Sequence, residues 1–372
     1  MTKYIQIAPQ DTLFFRDGRP FNQDDEGLAS AMSGSFPPSP RTVAMMVRAA
    51  LATGQGWPGG DWSAQNWQGK PQDFVDVVGN GSTDLGRLRF KPPRLLLDDT
   101  LLYPVPLSLV RNKNGEDYAL LVPGVERQTD LGKARLPVVD AGGEGWQTME
   151  GYFVAESGLK AILGGSLPCT DDIFPPEELS VRERRIGLER NRSNRVAEDG
   201  KLYSIVHIRA QSGLSLLSAV DGVDDWQFST VQPLGGEGRF AWLNLYESKK
   251  ISMPTVRIKA RSGKVHFSVT AISPVRMADD GWRTPGGKIA GLPGIVVSAC
   301  VGKTQMIGGF SSVAKSFGPQ PLTPYLPAGS VWFLEADENE FDQGQLPPSI
   351  GKETEFGYGG CVFGVWNEKR GH

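Results

Sequence analysis

Glycine and proline punctuate this chain throughout, with 46 Gly and 27 Pro among 372 residues. A glycine inside a helix costs about 1 kcal/mol relative to alanine, and a proline about 3 kcal/mol. A surplus of both therefore predicts many loops and short strands, not a helical bundle. With 39% hydrophobic and 22% charged residues, the chain still has apolar side chains enough for a core. Its length suggests two domains or one large one.

Thirty-nine basic against 42 acidic residues leave a formal charge of −3, which excludes a globally basic, histone-like binder. A local basic groove stays open, because the arrangement of charges sets the field. The three cysteines, Cys169, Cys300 and Cys361, odd in number, widely spaced and without a Cys-x-x-Cys pair, fit neither a disulfide framework nor a zinc ribbon and read as small buried hydrophobes in a reducing compartment. His207, His266 and His372 include no i, i+4 pair, so no metal site is expected, and no cofactor. No apolar stretch resembles a signal peptide or a membrane span, and the expectation is a cytoplasmic protein with no membrane partner.

Ser39-Pro40-Arg41-Thr42 followed by Val43 through Leu51 predicts a helix. Ser39 is its N-cap, Pro40 its first residue and Gly54 its stop. The helix is apolar nearly all round, so it should pack under a sheet with its polar N-terminus directed outward. Residues 54–86 read as irregular connection and 111–149 as an insertion. Strands are expected near 88–90, 95–102, 151–154, 202–209, 239–246, 264–272, 294–301, 331–335 and 361–366, with a short helix near 158–163. Val265, Phe267, Val269 and Ala271 alternate with His266, Ser268 and Thr270, the period of a half-buried strand. The fold class expected is α+β, with a boundary near residue 210 giving domains 1–210 and 211–372.

Few motifs carry catalytic chemistry. Gly302-Lys303-Thr304 has the tail of a P-loop, but Val297 stands where its first glycine is required. Gly236 through Ala241 matches a dinucleotide pattern in letters, yet it leads into strand-like alternation and not a helix. Adjacent carboxylates such as Asp98-Asp99 read as turn residues.

Three features point to nucleic acid. Arg182, Arg184, Arg185, Arg190, Arg192 and Arg195 lie within 14 residues, with only Glu183 and Glu189 among them, and arginine forks suit phosphate geometry. The helix start at Ser39, Arg41 and Thr42 offers amides, hydroxyls and a cation together. Gly357, Tyr358, Gly359 and Gly360 would let another backbone come close, with Tyr358 free to stack.

Asp11 through Phe21 and Phe36 through Thr42 resemble the opening of one RAMP-superfamily family, the subunit of type III-B CRISPR (Cmr) effector complexes that caps the 5′ end of the guide RNA. Gly187 through Tyr203 is similar to that family's central hairpin. Ile307-Gly308-Gly309-Phe310, Val331 through Glu335 and the segment 357–364 are similar to its later landmarks, in the same order. Residues 54–86, 111–149 and Ser311 through Pro321 have no close counterpart.

The resemblance implies two ferredoxin-like (RRM-like) folds, an arginine-rich hairpin over 181–203, and a non-catalytic role. The implied partners are the 5′ handle of the CRISPR RNA, the large polymerase-domain subunit and RAMP backbone subunits. Together with the residue reading, it assigns RNA contacts to Ser39, Arg41, Thr42, Arg190, Arg192, Ser193, Arg195, Lys303, Gln305, Gly308, Gly309, Gly357, Tyr358, Gly359 and Gly360. Two alternatives stand beside it. One is a metal-independent RAMP endoribonuclease cutting CRISPR RNA precursors, with His207 as base beside Tyr203 and Arg209. The other is a nucleotide binder using Lys303.

Overall fold

The computed structural model describes residues 2–16, 35–60, 62, 73–115, 117–130, 132–190, 193, 196–223, 225–247, 251–311 and 318–366, without side chains for 188–190 and 197–203. Strands dominate and helices are few, as the glycine and proline content predicts, and the arrangement is mixed α/β. Two compact units form. Unit 1 comprises 1–88, 177–246 and 306–323; unit 2 comprises 89–176, 247–305 and 324–372. Each thus takes residues from both sides of position 210.

Helix α1 (Pro40–Gly54) organises unit 1. Ser39 is in extended conformation, and its Oγ accepts from the Thr42 amide at 3.3 Å, capping the helix as expected. Val43, Val47, Ala50 and Leu51 are fully or almost fully buried, and the helix packs on the strands Leu214–Asp221 and Val231–Pro233. Gly54 is required at its end: a Cβ there would lie 2.3 Å from the Gln227 carbonyl oxygen. Residues 54–86 are not wholly irregular, because Phe74–Val78 forms the short helix α2, with Phe74, Val77 and Val78 buried.

Four antiparallel strands of unit 1 follow in the order Leu214–Asp221, Lys3–Pro9, Phe240–Leu245, Val231–Pro233. Alternation sorts their side chains: Ile5, Ile7, Ala241 and Leu243 are buried, while Phe240, Trp242 and Asn244 on the other face are exposed.

In unit 2, Arg94–Leu97 and Thr100–Pro104 form a hairpin. Its turn is Asp98-Asp99, with Asp98 at φ 50°, so this acidic pair is a turn as the sequence implies. A second antiparallel sheet runs Ile295–Cys300, Val331–Asp337, Lys264–Ala271, Cys361–Val365. Its core gathers Val265, Phe267, Val269, Val296, Trp332 and Leu334.

The half-buried expectation for 264–272 fails in its second half. Ser268 and Thr270 are 6% and 2% exposed, and with Phe333 and Trp366 they line a cavity of about 190 Å³. Helix α3 (Glu156–Leu163) packs on Cys361–Val365, so both faces of this part of the sheet are covered. The insertion over 111–149 is itself a sheet, built on the hairpin Tyr118–Thr129 and Gly132–Val139, and Leu120 at its base joins the core.

Cys300 and Cys361 are buried, and burial pushes both thiols up to about 12. Cys169 is exposed, a correction to the reading of all three as buried hydrophobes. Since the thiolate is the reactive form, a chromogenic disulfide reagent at pH 8 should release one equivalent of thiol quickly from the native protein. The other two should appear only on denaturation, and three fast equivalents would contradict this packing. Among the described residues no helix is long and apolar enough to cross a membrane.

Candidate nucleic-acid interface

The start of α1 is a donor-rich end. Ser39, Arg41 and Thr42 are half-buried, Ser39 Oγ and Thr42 Oγ1 lie 2.9 Å apart, and the first turn has no acidic residue. The helix dipole there keeps its positive end without a counter-charge in that turn. Gly308 and Gly309 belong to an exposed strand, Gln305–Ser311, paired with Gly318–Tyr325. A Cβ on Gly309 would come 4.0 Å from Arg41 Cδ, so the fold brings Arg41 and Gly309 together, although 268 positions separate them.

The arginine-rich segment is an antiparallel hairpin, Ser180–Arg190 with Ala197–Ala210, whose register shifts between Leu188 and Arg190. Arg190 pairs with Ala197 and Ser193 is exposed at the tip; Arg192 and Arg195 lie outside the described residues. Arg182 and Arg184 are exposed, with Arg184 Nε donating to Ser204 Oγ at 2.7 Å.

At the hairpin base lies a network that local sequence does not reveal. Arg185 Nε and NH2 donate to Glu183 Oε1 at 2.9 and 2.6 Å. Arg209 bridges Glu183 Oε2 and Asp11 Oδ1, each at 2.9 Å, and Arg239 NH1 reaches Asp11 Oδ2 at 3.4 Å. Three guanidinium groups thus meet two carboxylates and keep a net positive charge. Hydrogen bonds from Arg185 and Arg209 hold the Glu183 carboxyl below its ordinary range. Burial opposes the same shift at Asp11, but the Arg209 hydrogen bond, the Thr12 amide and the charges of Arg209 and Arg185 outweigh it. Because these pairs are half-buried or exposed, within reach of solvent, they steer and orient more than they stabilise.

The segment that supplies Asp11 also ties the two features together. Leu13 and Ile208 exchange backbone hydrogen bonds at 2.7 and 2.8 Å, and Ser35, on the approach to α1, donates to Phe15 O at 3.0 Å. Hairpin base and helix entry therefore hang on residues 11–15. Gly235 allows that crossing, since at φ 80° a Cβ would lie 2.3 Å from Phe14 O.

The remaining assigned residues are in unit 2. Lys303 and Gln305 are exposed. Gly302-Lys303-Thr304 runs from the strand Ile295–Cys300 into the strand Gln305–Ser311, whereas a P-loop must open a helix, so the nucleotide-binding alternative lacks its scaffold. Tyr358 is 1% exposed and stacks on Tyr325 with ring centroids 4.6 Å apart. The expectation that it is free to stack on a base is corrected, because its face is already taken. Its neighbouring glycines admit this chain's own backbone: a Cβ on Gly357 would meet Lys91 O at 2.7 Å.

His207 is 1% exposed, with Nδ1 3.0 Å from Thr12 Oγ1. Burial first, then the charges of Arg185 and Arg239, hold its imidazole below the ordinary histidine range, so it is neutral at pH 7. A ring shut away from solvent is poorly placed to take a proton from an RNA hydroxyl. No group of three or more His, Cys, Asp or Glu among the described residues could hold a metal.

The profile of the family described as CRISPR-associated protein (Cas_Cmr3) matches residues 5–366. The chain belongs to the Cas_Cmr3 family. This Cas_Cmr3 protein is also similar to chains in solved structures. One, from a cryo-EM structure of the type III-B Cmr-beta complex bound to cognate target RNA and AMPPnP, is 15% identical, with 89% of this chain and 86% of that chain covered and a TM-score of 0.49. Another, from the type III-B Cmr-beta complex bound to cognate target RNA, is 14% identical over the same shares, with a TM-score of 0.47. A third belongs to the crystal structure of the Csm3–Csm4 subcomplex of the type III-A CRISPR-Cas interference complex, at 10% identity, 98% and 99% coverage and a TM-score of 0.38. No curated protein matches.

Proposed function

We propose that this Cas_Cmr3 protein is a non-catalytic, RNA-binding subunit of a type III-B CRISPR ribonucleoprotein in the cytoplasm. It grips the 5′ handle of the CRISPR RNA and docks against the large polymerase-domain subunit, with RAMP backbone subunits beside it. Its fold comprises two ferredoxin-like domains. The observation that carries the reading is the shared anchor at residues 11–15. It fixes both the hairpin that presents Arg182 and Arg184, with Arg190 further along the same strand, and the helix start with Ser39, Arg41 and Thr42. A single-stranded handle needs guanidinium and amide donors on a rigid support, not a nucleophile. Ser193, Gly308 and Gly309 in unit 1 are exposed, and so are Lys303 and Gln305 in unit 2, as an RNA contact at each of them requires.

The test changes Arg190, Arg192 and Arg195 together to alanine within the assembled complex. Guide-RNA affinity should fall between about tenfold and a thousandfold near physiological salt. The slope of log affinity against log salt should flatten by about 2, roughly 0.7 for each single-strand phosphate that the variant leaves without a cation. An unchanged affinity with an unchanged slope removes the hairpin from the site.

A further inference from the structure

The strand Phe240–Leu245 presents two aromatic rings to solvent from the face opposite the packed side of its sheet. Phe240 and Trp242 are 42% and 47% exposed, while Ala241 and Leu243 between and beside them are 0% exposed. Two residues apart on one strand, the rings stand on the same face with Cα atoms roughly 7 Å apart. Val231 pairs with Trp242 and Pro233 with Phe240, so the neighbouring edge strand extends this face. On the other side Ala8 pairs with Trp242 and Gln6 with Asn244. The Gln6 amide is held by Nε2 donating to Ser215 Oγ at 3.0 Å, and Asn244 is exposed.

We propose that this face binds two unpaired nucleotides of single-stranded RNA. Phe240 and Trp242 each take one base by stacking, and Asn244, with Gln6 beside it, reads a base edge. The proposal rests on the RNA-binding reading above for its class of ligand, but concerns a surface distinct from the hairpin and the helix start.

The observations favour RNA over a protein surface here for two reasons. First, the rings are flanked by amides, which can both donate to and accept from a base edge. Second, the aromatic row opens at one end onto a surplus of positive charge. Gln10 N donates to Phe240 O at 3.1 Å, and the next residue, Asp11, receives Arg209 and Arg239, with Arg185 3.8 Å away. A strand of RNA lying along the row would reach guanidinium groups with its phosphates as its bases reach the rings.

The experiment titrates the full-length chain with a fluorescently labelled ten-residue oligouridylate, which forms no secondary structure of its own. A companion oligomer carries 4-thiouridine for photo-crosslinking and peptide mapping. Phe240→Ala and Trp242→Ala should each weaken binding about tenfold or more, in line with the worth of one stacked base. Trp242→Tyr should stay within about threefold, and crosslinks should map to the peptide containing Phe240 and Trp242. Both side chains are exposed, so the variants should melt with the parent chain; if Trp242→Ala does not, Trp242→Leu is its substitute. Absence of oligouridylate binding, or alanine variants that bind like the parent, overturns the proposal. So does a variant that binds the oligomer normally but no longer co-purifies with the other subunits, which makes the face a protein dock. The triple arginine variant keeps the two readings apart. It should lose guide-RNA affinity yet retain the crosslink at Trp242, whereas failure of the handle reading leaves the oligouridylate result unaffected.

Discussion

A Gly359→Ala variant is expected to lose about 3–5 kcal/mol of stability, a large share of the roughly 5–15 kcal/mol that holds a domain folded. Gly359 sits at φ 69°, and a Cβ there would lie 1.9 Å from the Ile350 carbonyl oxygen. No rotamer relieves that clash, since both partners are backbone. The main chain must move, and with it the hydrogen bonds Ile350 N to Gly359 O and Gly359 N to Pro274 O, both 2.9 Å. The left-handed conformation alone costs a non-glycine residue about 1 kcal/mol or more. Gly309→Ala is the matched control. Its nearest neighbour would be Arg41 Cδ at 4.0 Å, in an exposed strand, so stability should change by less than about 0.5 kcal/mol. Urea unfolding of both variants checks the contrast. A Gly359→Ala midpoint within error of the parent would mean that the Ile350 crossing is loose.

That contrast also shows what a sequence can say about a glycine. Gly357, Gly359 and Gly360 signal that some backbone comes close, and local sequence does not reveal whose. Here it is the chain's own: a Cβ on Gly360 would meet Pro92 Cγ at 2.0 Å, from 268 positions away. Tyr358 read as free for the same reason, because its partner Tyr325 lies 33 positions upstream. Local chemistry was far more legible. Ser39, Pro40 and the apolar run after them specify α1 without help from the rest of the chain, and the helix forms where they place it. The strands Lys264–Ala271, Ile295–Cys300 and Val331–Asp337 likewise follow apolar runs bounded by turn residues. Among the candidate site residues, the arginine run was visible as composition. Its anchor was not, since Asp11 meets Arg209 and Arg239 across 198 and 228 positions.

Arg48 is where a second large loss is expected, and nothing in its neighbourhood in sequence announces it. It lies on α1 at 0% exposure. Its Nε donates to Val78 O at 2.6 Å and its NH1 to Gly81 O at 2.8 Å, and the guanidinium lies 3.8 Å from the centroid of the Trp62 ring. Burial pushes its pKa down to about 10 against the opposing charge of Asp84, still far enough above neutrality that the group is charged. NH2 has no hydrogen-bond partner, so the residue is held chiefly by two carbonyls and one ring face. Arg48→Ala removes both donors, strands the carbonyl oxygens of Val78 at the end of α2 and of Gly81 beyond it, and leaves a void, for a combined loss of about 3–5 kcal/mol. Arg48→Lys should recover little, because an ammonium cannot fork between two carbonyls or lie flat on an indole. Arg48→Met separates the causes. It fills the space without donating, so a loss of about 2 kcal/mol or more assigns the effect to the hydrogen bonds, whereas a stability within about 0.5 kcal/mol of the parent assigns it to packing. Hydrogen exchange should locate the damage at the Gly79 amide, which donates to Val75 O at 2.7 Å in α2. The same helix carries Ser39, Arg41 and Thr42 at its other end. An Arg48 variant that still folds should therefore bind guide RNA more weakly than its stability loss alone predicts, because the donors at the start of α1 would no longer be held in one orientation.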